Sequence, residues 1–200
     1  MESLWTITNG EAAPNLLGER MQLSFVVPNL QEALKFWTET VRVGPFIVIE
    51  DLGDRHFFYR GKESPVKILI GFSYIGDTQI ELIEQINSAA SPYTDFLDGG
   101  RQGLHHIGFW PDDCEKARLE LDRCGFEEVL VIQASDGGNK VTYHNGPAHI
   151  GAMFEIAPMT PERAKHFAGL KALADNWDGT RPVRWFRTRA EYMASEDCKS

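Results

Sequence analysis

Four side chains in this sequence, Gln22, Glu81, His106 and Glu155, have the chemistry to grip one divalent cation. Two carboxylates cancel the charge of M2+, and a neutral imidazole and an amide oxygen complete a set of nitrogen and oxygen donors. Such donors suit Zn, Ni, Co, Mn or Fe better than a thiolate-selected metal, and they do not choose among those five. A cation held there acts as a Lewis acid. It stabilises the enolate oxygen that forms when a carbon next to a carbonyl or thioester loses its proton. Glu155, with Glu81 as the alternative, is expected to be the base that moves that proton once it loosens from the metal.

The elements that must position these residues are written twice. MQLSFVV at 21–27 reads as a strand that Pro28 and Asn29 end. Asn29 and Glu32 then offer a helix cap, and Leu30, Ala33, Leu34 and Trp37 give the helix an apolar face. LHHIGFW at 104–110 repeats the strand, Pro111 and Asp112 end it, and Asp112 with Glu115 repeats the cap. Cys114, Ala117, Leu121 and Cys124 supply the second apolar face until Gly125 stops the helix. His106 minus Gln22 and Ala117 minus Ala33 are both 84 residues, so one repeat runs through strand, turn and helix without an insertion. QIELI and MFEIA close the two halves with a glutamate at the same place in an apolar frame.

Strand alternation assigns the faces. Gln22 shares its face with Ser24 and Val26; His106 shares its face with Leu104, Gly108 and Trp110, which leaves His105 on the opposite side as a structural residue. Glu81 and Glu155 each have flanking apolar residues on the far face. Further strands are expected at 44–50, 56–60, 66–74, 127–133 and 140–145. The expected fold is α+β, with two tandem βαβββ modules forming an open-sided mixed sheet cup flanked by helices.

An extension at 1–20 precedes modules at 21–100 and 101–160, and a helix and tail fill 161–200. That helix is expected on the outside of the second module or on a partner chain, with Glu162 and Arg163 on its wet side. The first twenty residues and the stretch after Tyr192 are expected to be loosely held. Candidates for substrate contact or cavity lining are Tyr143, His144, Asn145, His149, Phe58, Phe72 and Tyr74, with Trp110 at the rim.

QLSFVVPNLQEALKFW, GDTQIELIEQ, GLHHIGFWPDD and HIGAMFEIA together resemble the vicinal oxygen chelate superfamily, which includes glyoxalase I, methylmalonyl-CoA epimerase, extradiol dioxygenases and bleomycin-resistance proteins. The resemblance covers roughly residues 20–160 and implies the same metal ligands, Gln22, Glu81, His106 and Glu155. It implies an isomerase, epimerase or lyase acting on a carbonyl or acyl-CoA-like substrate, and a homodimer. GLHHIGFW with an acidic helix start is similar to the epimerase branch, whereas Gln22 stands where epimerases commonly have His. A ring-cleaving dioxygenase would want two histidines and one carboxylate, and Gln22 argues against it. A metal-free small-molecule binding protein of the same fold is the reading from a different class.

Composition narrows the field further. The 200 residues are 42% hydrophobic and 24% charged, as in a globular chain. No apolar run nears the roughly 18 residues of a membrane helix. The first twenty residues lack a basic start and an apolar centre, so a secretory reading is not expected. Cys114, Cys124 and Cys198 make no paired framework, which fits a reducing, cytoplasmic setting. Lys plus Arg total 20 against 29 Asp plus Glu, and a formal charge of -9 repels a phosphate backbone. RPVRWFRTR at 181–189 is a short basic patch that reads as a surface segment or an anion contact rather than a nucleic-acid platform.

Overall fold

The structure is a computed structural model that describes residues 16–18, 21–135, 137–138 and 140–199. The expectation for most of the first twenty residues lies outside them. β1 (Met21–Val26) ends at Pro28, and Asn29 caps α1 (Leu30–Lys35) by accepting a hydrogen bond from the Glu32 backbone N–H at 3.0 Å. The helix widens into a π turn at Phe36–Val41. Leu30 and Leu34 are buried against Phe46, Val48, Ile80 and Leu82, so the apolar stripe read from the spacing covers the outer face of the sheet.

The first module continues with β2 (Phe46–Asp51), β3 (Arg55–Tyr59), β4 (Lys62–Ser64), β5 (Ile68–Ile75) and β6 (Thr78–Gln85). α2 (Pro92–Asp98), capped by Ser91, leads to β7 (Gly103–Phe109) and α3 (Cys114–Arg123). The cap of α3 is Asp113, which accepts from the Lys116 N–H at 2.9 Å, not Asp112 as the repeat suggested. β8 (Glu127–Ala134), β9 (Lys140–Asn145) and β10 (Met153–Ile156) complete the second module. α4 (Pro161–Asp175), β11 (Val183–Thr188) and α5 (Arg189–Ala194) follow.

All the strands join one open mixed sheet in the order β11-β2-β5-β6-β1-β7-β10-β9-β8-β3-β4. Each module runs first strand, last, third, second outward from the centre, and the two first strands, β1 and β7, meet antiparallel. The β3–β4 hairpin departs from that symmetry. It follows β2 after only Leu52, Gly53 and Asp54, yet it pairs with β8 at the other end of the order. Three residues span at most about 14 Å, so the sheet must bend to bring its two ends together. Side chains from both halves, among them Ile47, Ile70, Leu130, Ile132 and Val141, therefore share one buried cluster inside the cup.

The C-terminal segment is part of the core rather than a decoration. α4 packs on β5 of the first module, with Phe167, Leu170 and Leu173 buried in the interior cluster, which corrects its expected place outside the second module. β11 adds to β2 in parallel, and Tyr192 of α5 is fully buried. Gly169 lets these pieces approach α4, since a Cβ there would lie 2.8 Å from Cys198 Sγ and 3.2 Å from the Tyr192 hydroxyl. Arg184 pairs with Asp197 at 2.5 Å, so the chain after Tyr192 is held and not loose. Among the described residues no helix is long and apolar enough to cross a membrane.

Candidate metal centre

Two rungs of the central strands carry the cluster. On one rung Glu81 of β6 lies beside Ser24 of β1, which lies beside His106 of β7. On the next, Gln22 of β1 lies beside Gly108 of β7, which lies beside Glu155 of β10. Ser24 and Gly108 are themselves 84 residues apart, so the arrangement has an approximate two-fold axis between β1 and β7. The middle residue of each rung is small. Long side chains on the outer strands can then lean inward over a span of roughly two strand spacings.

The four candidates all face the cup interior and are almost fully buried: Gln22 3% exposed, Glu81 6%, His106 0% and Glu155 8%. His106 Nε2 stands 3.3 Å from Glu81 Oε2 and 3.2 Å from Glu155 Oε2. One donor atom from each of these three residues falls within 4.8 Å of the others, a spacing that one ion can bridge. Gln22 donates from Nε2 to Gln79 Oε1 at 2.6 Å, and Gln79 in turn donates to the Tyr74 hydroxyl at 2.9 Å. That chain fixes the amide and leaves Gln22 Oε1 buried without a hydrogen-bond partner among the described residues. Ser24 Oγ donates to Glu81 Oε2 at 2.6 Å and orients that carboxylate. A buried acceptor left bare and two carboxylates crowded on one imidazole are costly unless a cation completes them.

The electrostatics show the same tension. Burial works against a charged imidazole, but hydrogen bonding to Glu155 and Glu81, with their charges, outweighs it and lifts His106 to about 9. Glu155 is pulled below its usual value, since the hydrogen bond and charge of His106, then Arg163 and Tyr143, overcome its burial. Tyr143 and Tyr93 are buried beside the cluster, with the Tyr93 hydroxyl donating to that of Tyr143 at 3.0 Å. Desolvation raises both phenols, so they remain neutral hydrogen-bonding groups.

A register shift in β7 changes the expected faces. Ser24 pairs with His106 and Phe25 with Leu104, so His105 is the extra residue of a β-bulge. Leu104 is thereby turned to the outside, 42% exposed, and does not share the His106 face. His105 is buried, not on the far side: its Nδ1 is 3.0 Å from His106 Nδ1, and its ring packs on Tyr93 and Phe96. Burial, then the His106 charge, lowers His105 to about 3, so it stays a neutral neighbour that can fix the His106 ring.

The cavity beside the cluster is lined by Ile70, Phe72, Trp110, Ile132, Val141, Tyr143 and Phe167 together with Gln22, Glu81 and Glu155. It fills an envelope of about 570 Å3 that includes its open mouth. Phe72, Trp110 and Tyr143 thus sit where the sequence placed them. His144 does not; it is buried with its Nε2 2.9 Å from Thr142 Oγ1, and Asn145 is exposed at the end of β9. His149 lies exposed in a turn, because β10 begins only at Met153. Arg55, Arg163 and Arg189 also line the cavity, and the sequence reading missed them. A signal existed for Arg163. Arg163, Phe167 and Leu170 recur at helical spacing on the buried face of α4, so Arg163 is not on the wet side.

The profile of the Glyoxalase/Bleomycin resistance protein/Dioxygenase superfamily matches residues 21–143, more than half of the chain. No curated protein matches. Among solved structures, a hypothetical protein from Bacillus halodurans C-125 is similar with a TM-score of 0.52 at 20% identity, over 70% of this chain and 92% of that one. Methylmalonyl-CoA epimerase from Mycobacterium tuberculosis is similar with a TM-score of 0.51 at 15% identity, over 77% of this chain and 96% of the epimerase. A Streptomyces coelicolor methylmalonyl-CoA epimerase variant in complex with 2-nitronate-propionyl-CoA gives 0.50 at 15% identity, over 72% and 96%. At these identities the likeness is one of fold.

Proposed function

Because this chain belongs to the Glyoxalase/Bleomycin resistance protein/Dioxygenase superfamily, we propose that it is a metal-dependent isomerase, epimerase or lyase that moves a proton at the carbon next to a carbonyl or thioester. The observation that carries this reading is the rung geometry. It sets Glu81, His106 and Glu155 within reach of one ion and leaves the Gln22 carbonyl oxygen bare at the same cavity.

Gln22, Glu81, His106 and Glu155 would hold the divalent ion, and this donor set fits Zn, Ni, Co, Mn or Fe. When bound, such an ion supplies Lewis-acid stabilisation of an oxyanion. The chain itself supplies the rest. Glu155, loosened from the ion, would be the base: both carboxylates face the cavity, but Glu81 Oε2 is engaged by the short hydrogen bond from Ser24. Glu81 is the alternative. Phe72, Trp110, Ile132 and Phe167 exclude water from the carbon that would exchange its proton. Tyr143, kept neutral by burial, can donate to Glu155 and hold it in place.

The test is incubation in D2O, after metal reconstitution, with a panel of acyl-CoA thioesters and α-hydroxycarbonyl compounds, read as deuterium at the adjacent carbon. Metal-loaded protein is expected to exchange at least one of them. Glu155→Gln is expected to lower that rate by about 100-fold or more, the scale of a lost general base. Absence of exchange across the panel with stoichiometric metal bound would overturn the proposal. Ligand binding indifferent to chelators would favour a metal-free binding module instead.

A further inference from the structure

We propose that the cavity contains an oxyanion subsite built by Arg55, Arg163 and Arg189, and that its ligand carries a carboxylate or phosphate group close to its reacting carbonyl. That the carbonyl reacts rests on the proton-transfer reading above; the anion site does not. The three guanidinium groups come from the start of β3, the first turn of α4 and the start of α5, elements far apart in sequence that line one cavity, where Arg189 feels the charges of the other two.

Among the described residues none of the three forms an ion pair with a carboxylate, although this chain pairs its arginines readily elsewhere. Arg118 meets Glu115, Arg123 meets Glu120, and Arg181 and Arg184 both meet Asp197. Among the described residues Arg55 Nε donates to the Leu52 carbonyl at 3.3 Å, and Arg163 donates to the Pro158 carbonyl. Burial, reinforced by Arg163 and Arg55, pushes Arg189 down to about 10, and burial likewise lowers Arg163. Like charges gathered in a half-buried place raise the energy of the empty site and lower that of the anion-filled one.

Arg163 feels the opposite charges of Glu155 and Glu81, and Arg189 those of Glu162 and Glu81; Glu162 is exposed to solvent on α4, and Glu155 and Glu81 serve the metal in the proposed site. Once the charge of Glu155 and Glu81 is committed to a cation, the guanidinium groups face a cavity whose remaining walls are uncharged and mostly apolar. An oxyanion is the group that fits there. Guanidinium forks match carboxylate and phosphate with paired N–H donors, and low polarity around them strengthens each bond. The net charge of -9 makes the local positive field selective rather than general. Arg163 and Arg189 lie beyond the residues that the family profile matches, so the specificity would come from this chain's own C-terminal segment.

The probes are succinate and inorganic phosphate, titrated by calorimetry into chelator-treated and metal-loaded full-length protein. We expect one site per chain, weakened by added salt, and at least about tenfold weaker, some 1.4 kcal/mol, in Arg163→Gln and in Arg189→Gln. Arg189→Lys should retain part of the affinity, and Arg123→Gln, on the exposed side of α3, should retain all of it. Succinate alone binding identifies a carboxylate, phosphate alone identifies a phosphate ester, and either supports the site. Should a Gln variant fail to fold, arginine modification of wild-type protein by phenylglyoxal, mapped by mass spectrometry, must show Arg163 and Arg189 protected by the bound probe. Binding of neither probe, or affinity and protection indifferent to these arginines, overturns the inference. Anion binding without proton exchange would sink only the activity proposed above, and exchange without anion binding would sink only the subsite.

Discussion

At the scale of single residues, His166 shows what the interior demands of a polar group. It is fully buried among Phe72, Phe167 and Tyr192, and neither ring nitrogen has a hydrogen-bond partner among the described residues. Burial, then the charges of Arg189 and Arg163, holds it well below its ordinary 6.5, so the folded chain keeps it neutral. An unfolded chain takes up the proton near 6.5. The contribution of His166 to stability is therefore fully present above that pH and falls by about 1.4 kcal/mol for each unit below it. His105 and His144, lowered to about 3 and about 4 chiefly by burial, add to the same acid loss. His166→Leu should flatten the dependence: its melting temperature should drop less than that of wild type between pH 7 and pH 5. Parallel curves for the two proteins would show that His166 is not responsible.

At the scale of elements, the approach of β1 to β7 sets the cluster. A Cβ on Gly108 would lie 2.7 Å from Gln22 Oε1 and 3.1 Å from Gln22 Cβ, so only glycine lets the amide lie across β7. Gly108→Ala should therefore displace Gln22 and weaken metal binding by about tenfold, the scale of a disturbed ligand. Circular dichroism should remain that of the folded protein, since the strand itself tolerates alanine. Unchanged metal affinity would mean that Gln22 is not a ligand.

How much of this was legible follows from the same elements. α1 and α3 were readable because each buries one face, which stamps a period of 3.6 on the sequence, and the module strands because they are short apolar runs, several buried on both faces, set between turn residues. The 84-residue offset brought Gln22, His106, Ser24 and Gly108 into register. The bulge at His105 was not readable, because an extra residue in a ladder changes pairing without changing composition. Nor were Arg55 and Arg189, whose neighbours across the cavity are fixed by tertiary packing alone. β4 and α5 were too short to show a period, and β11 was hidden by its charges.

At the scale of the molecule, the last forty residues close the cup that the two modules leave open. α4 covers Phe72 and Trp110, and β11 pairs with the edge of β2. Deleting residues 161–200 would bare that apolar interior and an unpaired strand edge together. The shortened chain should bind a hydrophobic dye and form larger assemblies on size-exclusion chromatography than the full chain, which should not bind the dye. A monodisperse, dye-silent truncation would show that the modules are self-sufficient.

The β3–β4 hairpin also governs the order in which this chain can mature. Its partner, β8, lies some seventy residues downstream, so during synthesis the hairpin leaves the ribosome with one edge bare and waits for the second module. Closing so distant a pairing comes late and slowly, after local helices and adjacent strands have formed. Nascent protein halted between the two modules would present that bare edge to chaperones or to its own neighbours, and release of the second half would withdraw it.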